Sequence, residues 1–235
     1  MNKISIIIPV LNEAETIDNL LFHLIDCSAL NNISEIIVVD GGSTDGTIPI
    51  IKNLGLNIKV LNADKGRAKQ MNLGASEANG NILYFLHADS FPPNRYDKLI
   101  LNEIENGNHA GCFKMKFDSN HWWLKLASWF TQFNWQACRG GDQSLFVTRS
   151  LFKKIGGFDE SFTIYEDNDF IAKLYQQKQF VVLQDWLTTS ARKYNSHGVW
   201  TLQFHFWVIH LKKRLGASPE KLNSYYLKHI AAQNN

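Results

Sequence analysis

Short apolar runs separated by helical patterns fill the first half of the chain. Ile4 to Val10 is a run closed by Pro9 and Asn12, which suits a strand buried on both faces of a parallel sheet. Leu20, Leu21, Leu24 and Ile25 then recur at helical spacing behind an acidic first turn with Glu13 and Glu15. Ile36 to Val39 is the next run, and it stops at Asp40-Gly41-Gly42-Ser43-Thr44-Asp45-Gly46, a loop dense in turn residues. Ile58 to Leu61 as strand, Gly66 to Ala78 as helix and Ile82 to Leu86 as strand repeat the unit, with His87-Ala88-Asp89 as the following loop. Strands alternating with helices at this pitch predict βαβ units, right-handed crossovers and a parallel sheet.

Beyond Arg95 the pattern is mixed, and antiparallel strands are expected to join the sheet. It reads as a helix over Tyr96 to Glu105, a strand over Cys112 to Phe117, and an aromatic helix from His121 to about Gln136. Gly140-Gly141-Asp142-Gln143 leads into a short strand, Ser144 to Val147. Gly156-Gly157-Phe158 marks a turn, and Glu166-Asp167 opens a helix. From His197 onward the chain reads as two helices separated by Gly216 and Pro219. The organisation expected is one α/β domain over residues 1–195 and a helical appendage over 196–235, packed on it or at an interface.

Composition narrows the function. Lys+Arg 24 against Asp+Glu 22 leaves no global field to draw the protein to nucleic acid or acidic lipid, so any electrostatic function is local. Three widely spaced cysteines, Cys27, Cys112 and Cys138, argue against a disulfide framework or a zinc site. The start of the chain runs directly into a strand without a leader pattern, and no stretch reaches the roughly 20 apolar residues of a spanning helix. A cytoplasmic protein is the expectation, with the inner face of the membrane as a second location for reasons given below.

In open parallel sheets, ligands bind beyond the carboxyl ends of the strands. Asn12, Glu13, Asp40 and Asp89 all fall just after predicted strands, so they are expected to converge on one edge. Neither the G-x-G-x-x-G fingerprint nor the G-x-x-x-x-G-K-[ST] phosphate loop is present, so a nucleotide must be held by other means.

The segments Ile7-Ile8-Pro9-Val10-Leu11-Asn12-Glu13 and Ile37-Val38-Val39-Asp40-Gly41-Gly42-Ser43-Thr44-Asp45-Gly46-Thr47 resemble the family 2 glycosyltransferases of the nucleotide-binding GT-A fold. Gly66-Arg67-Ala68-Lys69-Gln70 resembles that family's donor-contacting helix, and Phe85-Leu86-His87-Ala88-Asp89 its metal motif. Gly141-Asp142-Gln143 and Glu166-Asp167 resemble its acceptor-side elements. The combination is most similar to the branch labelled radical-SAM/selenodomain-associated transferases.

The resemblance implies an inverting transfer from a nucleoside-diphosphate sugar, with UDP or GDP as the nucleotide, to an acceptor hydroxyl. Asp89 would be the ligand of a divalent metal, Mn2+ or Mg2+, which neutralises charge on the departing diphosphate. Family members usually carry a carboxylate where this chain has His87, so Asp89 stands alone and His87 contacts donor or metal. Asp40 would accept from the nucleotide base, Pro9 and Glu13 would shape the base and ribose slot, and Gly41 would allow close approach. Arg67 carries the planar fork suited to diphosphate oxygens, and Ala88 belongs to the same donor-facing loop. Asp167 is the candidate general base, with Glu166 either orienting it or taking its place. Asp142, Gln143 and Trp135 are acceptor-side candidates, and Arg192 and Lys193 candidates to clamp the diphosphate.

Each assignment has a plainer alternative: Asp89 as a helix cap, Arg67 as a solvated helix-face arginine, Glu166 and Asp167 as first-turn acids, and Asp142-Gln143 as a turn. Trp122, Trp123, Trp129, Phe130, Phe133 and Trp135 crowd one segment and Trp200, Phe204, Phe206 and Trp207 another, the latter followed by Lys212-Lys213-Arg214. Packing as core or as a homodimer contact is the favoured reading of these aromatics, ahead of a peripheral membrane surface with access to a lipid-linked acceptor. The acceptor stays open among lipid, small molecule and glycan. A nucleotidyltransferase, or a non-catalytic carbohydrate- or nucleotide-binding module, remains as an alternative function.

Overall fold

The computed structural model describes residues 2–140 and 143–231. In chain order the elements are β1 (Ile4–Val10), α1 (Ile17–Asp26), β2 (Ile33–Asp40), α2 (Thr47–Asn53), β3 (Ile58–Asn62), α3 (Arg67–Glu77), β4 (Ile82–Phe85), β5 (Ser90–Phe91), α4 (Tyr96–Glu105) and β6 (Ala110–Phe117). There follow α5 (Trp122–Phe130), β7 (Leu145–Thr148), α6 (Arg149–Lys154), α7 (Glu166–Gln176), β8 (Phe180–Thr189), α8 (Arg192–His197), α9 (Val199–Arg214) and α10 (Pro219–His229).

One sheet runs through the molecule in the order β3-β2-β1-β4-β7-β6-β8-β5. β3, β2, β1 and β4 are mutually parallel, β7 is antiparallel to both β4 and β6, β6 and β8 are parallel, and β5 is antiparallel to β8. The sheet is mixed and mainly parallel, as the sequence pattern implies. Alternation along β1 sends Ile4, Ile6 and Ile8 to the face covered by α1, α2 and α4, and Ile7 to the face covered by α3, α6 and α7. Burial on both faces explains why β1 reads as a nearly unbroken apolar run. Helix α3 lies close on the sheet because Gly74 has no side chain: a Cβ there would fall 2.5 Å from Cγ2 of Ile7.

A third cluster lies outside these layers. Leu124 of α5, Phe162, Tyr194 of α8, Leu202 and Ile209 of α9, and Leu222 of α10 pack together, so the C-terminal helices bury against α5 and the chain preceding α7.

Two expectations need correction. The aromatic helix ends at Phe130 instead of running to Gln136. Met115 N–H of β6 donates to the Thr131 hydroxyl at 2.9 Å, and the buried Arg139 guanidinium donates to the carbonyls of Thr131 and Phe133. Those carbonyls are thereby drawn away from helical partners, and the segment continues as a turn and a short 3-10 helix, Gln136–Cys138. The aromatics, moreover, are core only in part: Trp123 and Phe206 pack against the third cluster, whereas Trp122, Trp129, Trp135, Trp200, Phe204 and Trp207 are each at least half exposed.

Candidate active site

Because β1, β2 and β4 run parallel, their carboxyl ends open onto one edge and deliver Asn12, Glu13, Asp40, His87 and Asp89 there. The loops after β1 and β2 are tied together. Ser43 donates to the buried Asp40 carboxylate from its N–H and from its hydroxyl, and Asn12 N–H donates to the Ser43 hydroxyl. Thr44 N–H donates to Asn12 Oδ1, Ala14 N–H to Asp45, and Glu13 N–H to the Thr47 hydroxyl. Asn12 holds a left-handed backbone, with φ of 57°, which asparagine tolerates better than other side chains. Beneath the loops, the buried Gln70 amide donates to the carbonyls of Val10 and Val39, and Gly41 sits directly over it, where an added Cβ would meet the amide at 3.1 Å. Gln70 thus supports both loops from below. Pro9 closes β1 beside Val39, and the Ala88 methyl is buried in the core, so Ala88 offers the edge only its backbone.

Two cationic groups organise the carboxylates. Arg67, at the first turn of α3, places Nη1 3.1 Å from Glu166 Oε1 and 3.5 Å from Asp167 Oδ2. His87 Nε2 lies 3.8 Å from the same Asp167 oxygen. The Glu166 side chain is 2% exposed and its Oε2 has no hydrogen-bond partner among the described residues, whereas Asp167 is more open at 11%. Tyr165, immediately before them, holds a φ of 75°, a strained conformation for an aromatic residue, and its hydroxyl lies 3.1 Å from His210 Nδ1 on α9. Sequence gave no signal of that backbone.

The second cation is Arg192, at the start of α8. Its guanidinium donates to Glu13 at 2.6 Å and lies 3.4 Å from Asp89 Oδ2. The hydrogen bond to Glu13, reinforced by the charges of Glu13 and Asp89, raises the guanidinium pKa above its ordinary value. Arg192 therefore reaches the predicted metal aspartate itself. Lys69 pairs with Asp64 at 3.2 Å, and the ring nitrogens of His197 lie at the carbonyls of Lys193 and Ile230.

A cavity of about 690 Å3 begins at Arg67, Glu166 and Asp167 and extends between α5, β6 and α9. Gln143 and Lys193 are among the residues that line it. The Gln143 side-chain amide is buried, and its Nε2 has no partner among the described residues. Trp135 does not line the cavity: it is 58% exposed and stacks on Phe133 at 4.9 Å. Gly141 and Asp142 lie outside the described residues.

Among the described residues, no group of three or more His, Cys, Asp or Glu could hold a metal ion. In the predicted metal motif the carboxylate is Asp89, with His87 at the companion position and Glu13 joined to Asp89 through Arg192. Ions of the Mg2+ type keep several waters and take one or two carboxylates together with substrate phosphates, so this set fits a cation held jointly with a diphosphate.

Solved structures share this architecture. TarS of S. aureus in complex with UDP-GlcNAc superposes with a TM-score of 0.65 at 21% identity, over 80% of this chain and 58% of that one. The mannosyltransferase PcManGT from Pyrobaculum calidifontis, in complex with GDP-Man and Mn2+, superposes with a TM-score of 0.67 at 19% identity, over 99% of this chain and 74% of that one. The fold is that of the GT-A glycosyltransferases. The family model "Glycosyl transferase family 2" matches residues 5–171, and the chain belongs to that family. Relatives include a probable glycosyltransferase, YdaM, of Bacillus subtilis, 27% identical over 74% of this chain and 46% of its own length. An undecaprenyl-phosphate 4-deoxy-4-formamido-L-arabinose transferase of Proteus mirabilis is 30% identical over 54% of this chain and 41% of its own. The chain spans less than half the length of each of these two relatives.

Proposed function

We propose that the protein is an inverting glycosyltransferase that moves a sugar from a UDP or GDP sugar to an acceptor hydroxyl. The observation that carries this reading is the meeting of Arg67, His87, Glu166 and Asp167 where the cavity ends at the carboxyl edge of the sheet. The complexes of TarS with UDP-GlcNAc and of PcManGT with GDP-Man support the donor class.

In the proposed reaction the acceptor oxygen bonds to the anomeric carbon from the face opposite the leaving group. Its proton passes to the Asp167 carboxylate, and the bond from the anomeric carbon to the diphosphate breaks with its electron pair leaving on the diphosphate. Asp167 is favoured as base because it is the more open carboxylate, while the sealed Glu166 holds Arg67 in place. Arg67 faces the charge that develops on the diphosphate, and Asn12, Asp40 and their loops receive the nucleoside. A divalent cation held by Asp89 would neutralise the same charge. Residues 1–195 would form the transferase unit and 196–235 an appendage that walls the acceptor cavity.

The test is calorimetric titration with nucleotides and nucleotide sugars, with and without Mn2+. Saturable, Mn2+-dependent binding of one nucleotide sugar is the expected outcome. Absence of binding across the panel would remove the transferase reading.

A further inference from the structure

The greater part of the cavity lining is apolar, with polar groups set among it. Beyond the charged end at Asp167, Met115 of β6, Leu126 and Phe130 of α5, and Phe206 and Ile209 of α9 give it apolar walls, interrupted by Gln203 and His210 of α9. Its volume of about 690 Å3 lies in the upper part of the usual range for ligand pockets. The two helices that wall it also carry apolar residues outward. On α9, Trp200, Phe204, Trp207 and Leu211 are each more than half exposed and recur at four-, three- and four-residue steps, so they form one stripe. On α5, Trp122 and Trp129 are likewise at least half exposed. The two sets adjoin, with the Trp122 and Trp200 rings 5.7 Å apart. Lys125 lies on α5 and Arg214 closes the end of α9, while Lys212 lies over the Tyr225 ring and Lys213 over Phe162, 3.9 Å from Asp169. Exposed aromatics bordered by lysine and arginine match the chemistry of a lipid-water boundary, where a Trp ring is half apolar and half wet.

We propose that the acceptor is an amphiphile: its hydroxyl head lies at Asp167, its hydrocarbon tail fills the cavity between α5 and α9, and it is reached from a lipid surface on which the exposed residues of α5 and α9 rest. The assignment rests on the transferase reading and names the acceptor class for the same site. A soluble glycan has no use for the apolar walls, and a second copy of the chain would cover the exposed residues without filling the cavity.

The experiment uses dodecyl maltoside below its micelle concentration as the tailed probe, with maltose as the tail-less control, both followed by calorimetry. Binding of the tailed probe is expected to be at least about tenfold tighter than that of maltose. Ala127→Trp, which fills the cavity from its lining, is expected to erase that difference while leaving nucleotide-sugar binding intact. If that variant fails to fold, Phe130→Asp at the exposed rim of the same cavity gives the same readout. In parallel, the protein is expected to float with vesicles of mixed zwitterionic and anionic phospholipid, and a Trp200→Ser, Phe204→Ser, Leu211→Ser triple variant to stay behind. Equal binding of maltose and dodecyl maltoside, or no effect of either cavity variant while nucleotide sugar still binds, overturns the acceptor class and leaves the transferase reading standing. Failure to float, or a dimer that dissociates in the triple variant, overturns the lipid surface. Loss of nucleotide-sugar binding in the unaltered protein removes the reading on which the proposal rests.

Discussion

Replacing Arg67 by alanine separates the structural part of its ion pair from any part in donor binding. Glu166 is sealed, with 2% of its side chain exposed, and Arg67 supplies its charged partner at 3.1 Å. Removing one member of a fully buried pair costs about 3–5 kcal/mol, whereas a surface pair is worth about 0–1. The Arg67 side chain is 36% exposed, so water can replace part of the guanidinium. The expected loss is then intermediate, about 1–3 kcal/mol. For a chain of this size each kcal/mol moves the melting temperature by about 2–4 °C. Glu166→Gln removes the buried charge, so Arg67→Ala made in that background is expected to cost less than about 1 kcal/mol. The assay is urea denaturation of the wild type, both single variants and the double variant, without nucleotide, read at the midpoint with unchanged slope. The double variant then serves for donor titration, because its stability no longer depends on the pair. If Arg67 grips the diphosphate, nucleotide-sugar affinity falls about tenfold to a hundredfold even there, the worth of charge-assisted hydrogen bonds. Wild-type stability for Arg67→Ala, or the same loss in both backgrounds, would refute the buried-pair argument.

Other outcomes follow from the same geometry. Asp167→Asn is expected to lower turnover by about a hundredfold to ten-thousandfold with donor affinity kept, as for loss of a general base; a parallel loss of donor affinity would place Asp167 in binding. Arg192→Ala frees Asp89 from a competing cation, so the Mn2+ concentration needed for half-maximal nucleotide-sugar binding is expected to fall, and a rise would show that Arg192 itself grips the diphosphate. Gly74→Val forces a side chain into Ile7 and is expected to destabilise by about 1–3 kcal/mol in the same urea assay; an unchanged midpoint would deny the tight packing of α3. Burial works against ionisation of Glu35, but hydrogen bonds from Ser5 and from Asn79 outweigh it and leave its pKa below the ordinary 4.5. Its carboxylate therefore adds stability above about pH 4.5 that is lost as the pH falls through the lower folded value. Acid denaturation of Glu35→Gln is expected to show a shallower dependence on pH in that window, and an identical slope would count against the linkage.

The elements nearest the start of the chain were the most legible. Ile4 to Val10 is a strand because a doubly buried strand must be apolar at every position, and a local run reports that directly. The placing of Asn12, Asp40 and Asp89 after strands likewise followed from local pattern, since parallel strands carry their carboxyl ends to one edge. Helix α5 was drawn too long because its end is imposed by β6, through Thr131, and by Arg139. Neither partner is visible within a helical window.

What the sequence by itself determined is the α/β class, the parallel half of the sheet and the edge on which polar residues gather, all properties of short periodic segments. Only the tertiary structure decided which of those residues meet. Arg67 reaches Glu166 and Asp167, and Arg192 reaches Glu13 and Asp89, across long stretches of chain. Whether an apolar residue faces core or solvent was settled in the same way: on α9, Leu202 and Ile209 found partners in α5 and α10, and Trp200, Phe204 and Trp207 did not. Helical periodicity shows that α9 has two apolar faces, but burial depends on what the rest of the fold brings against each.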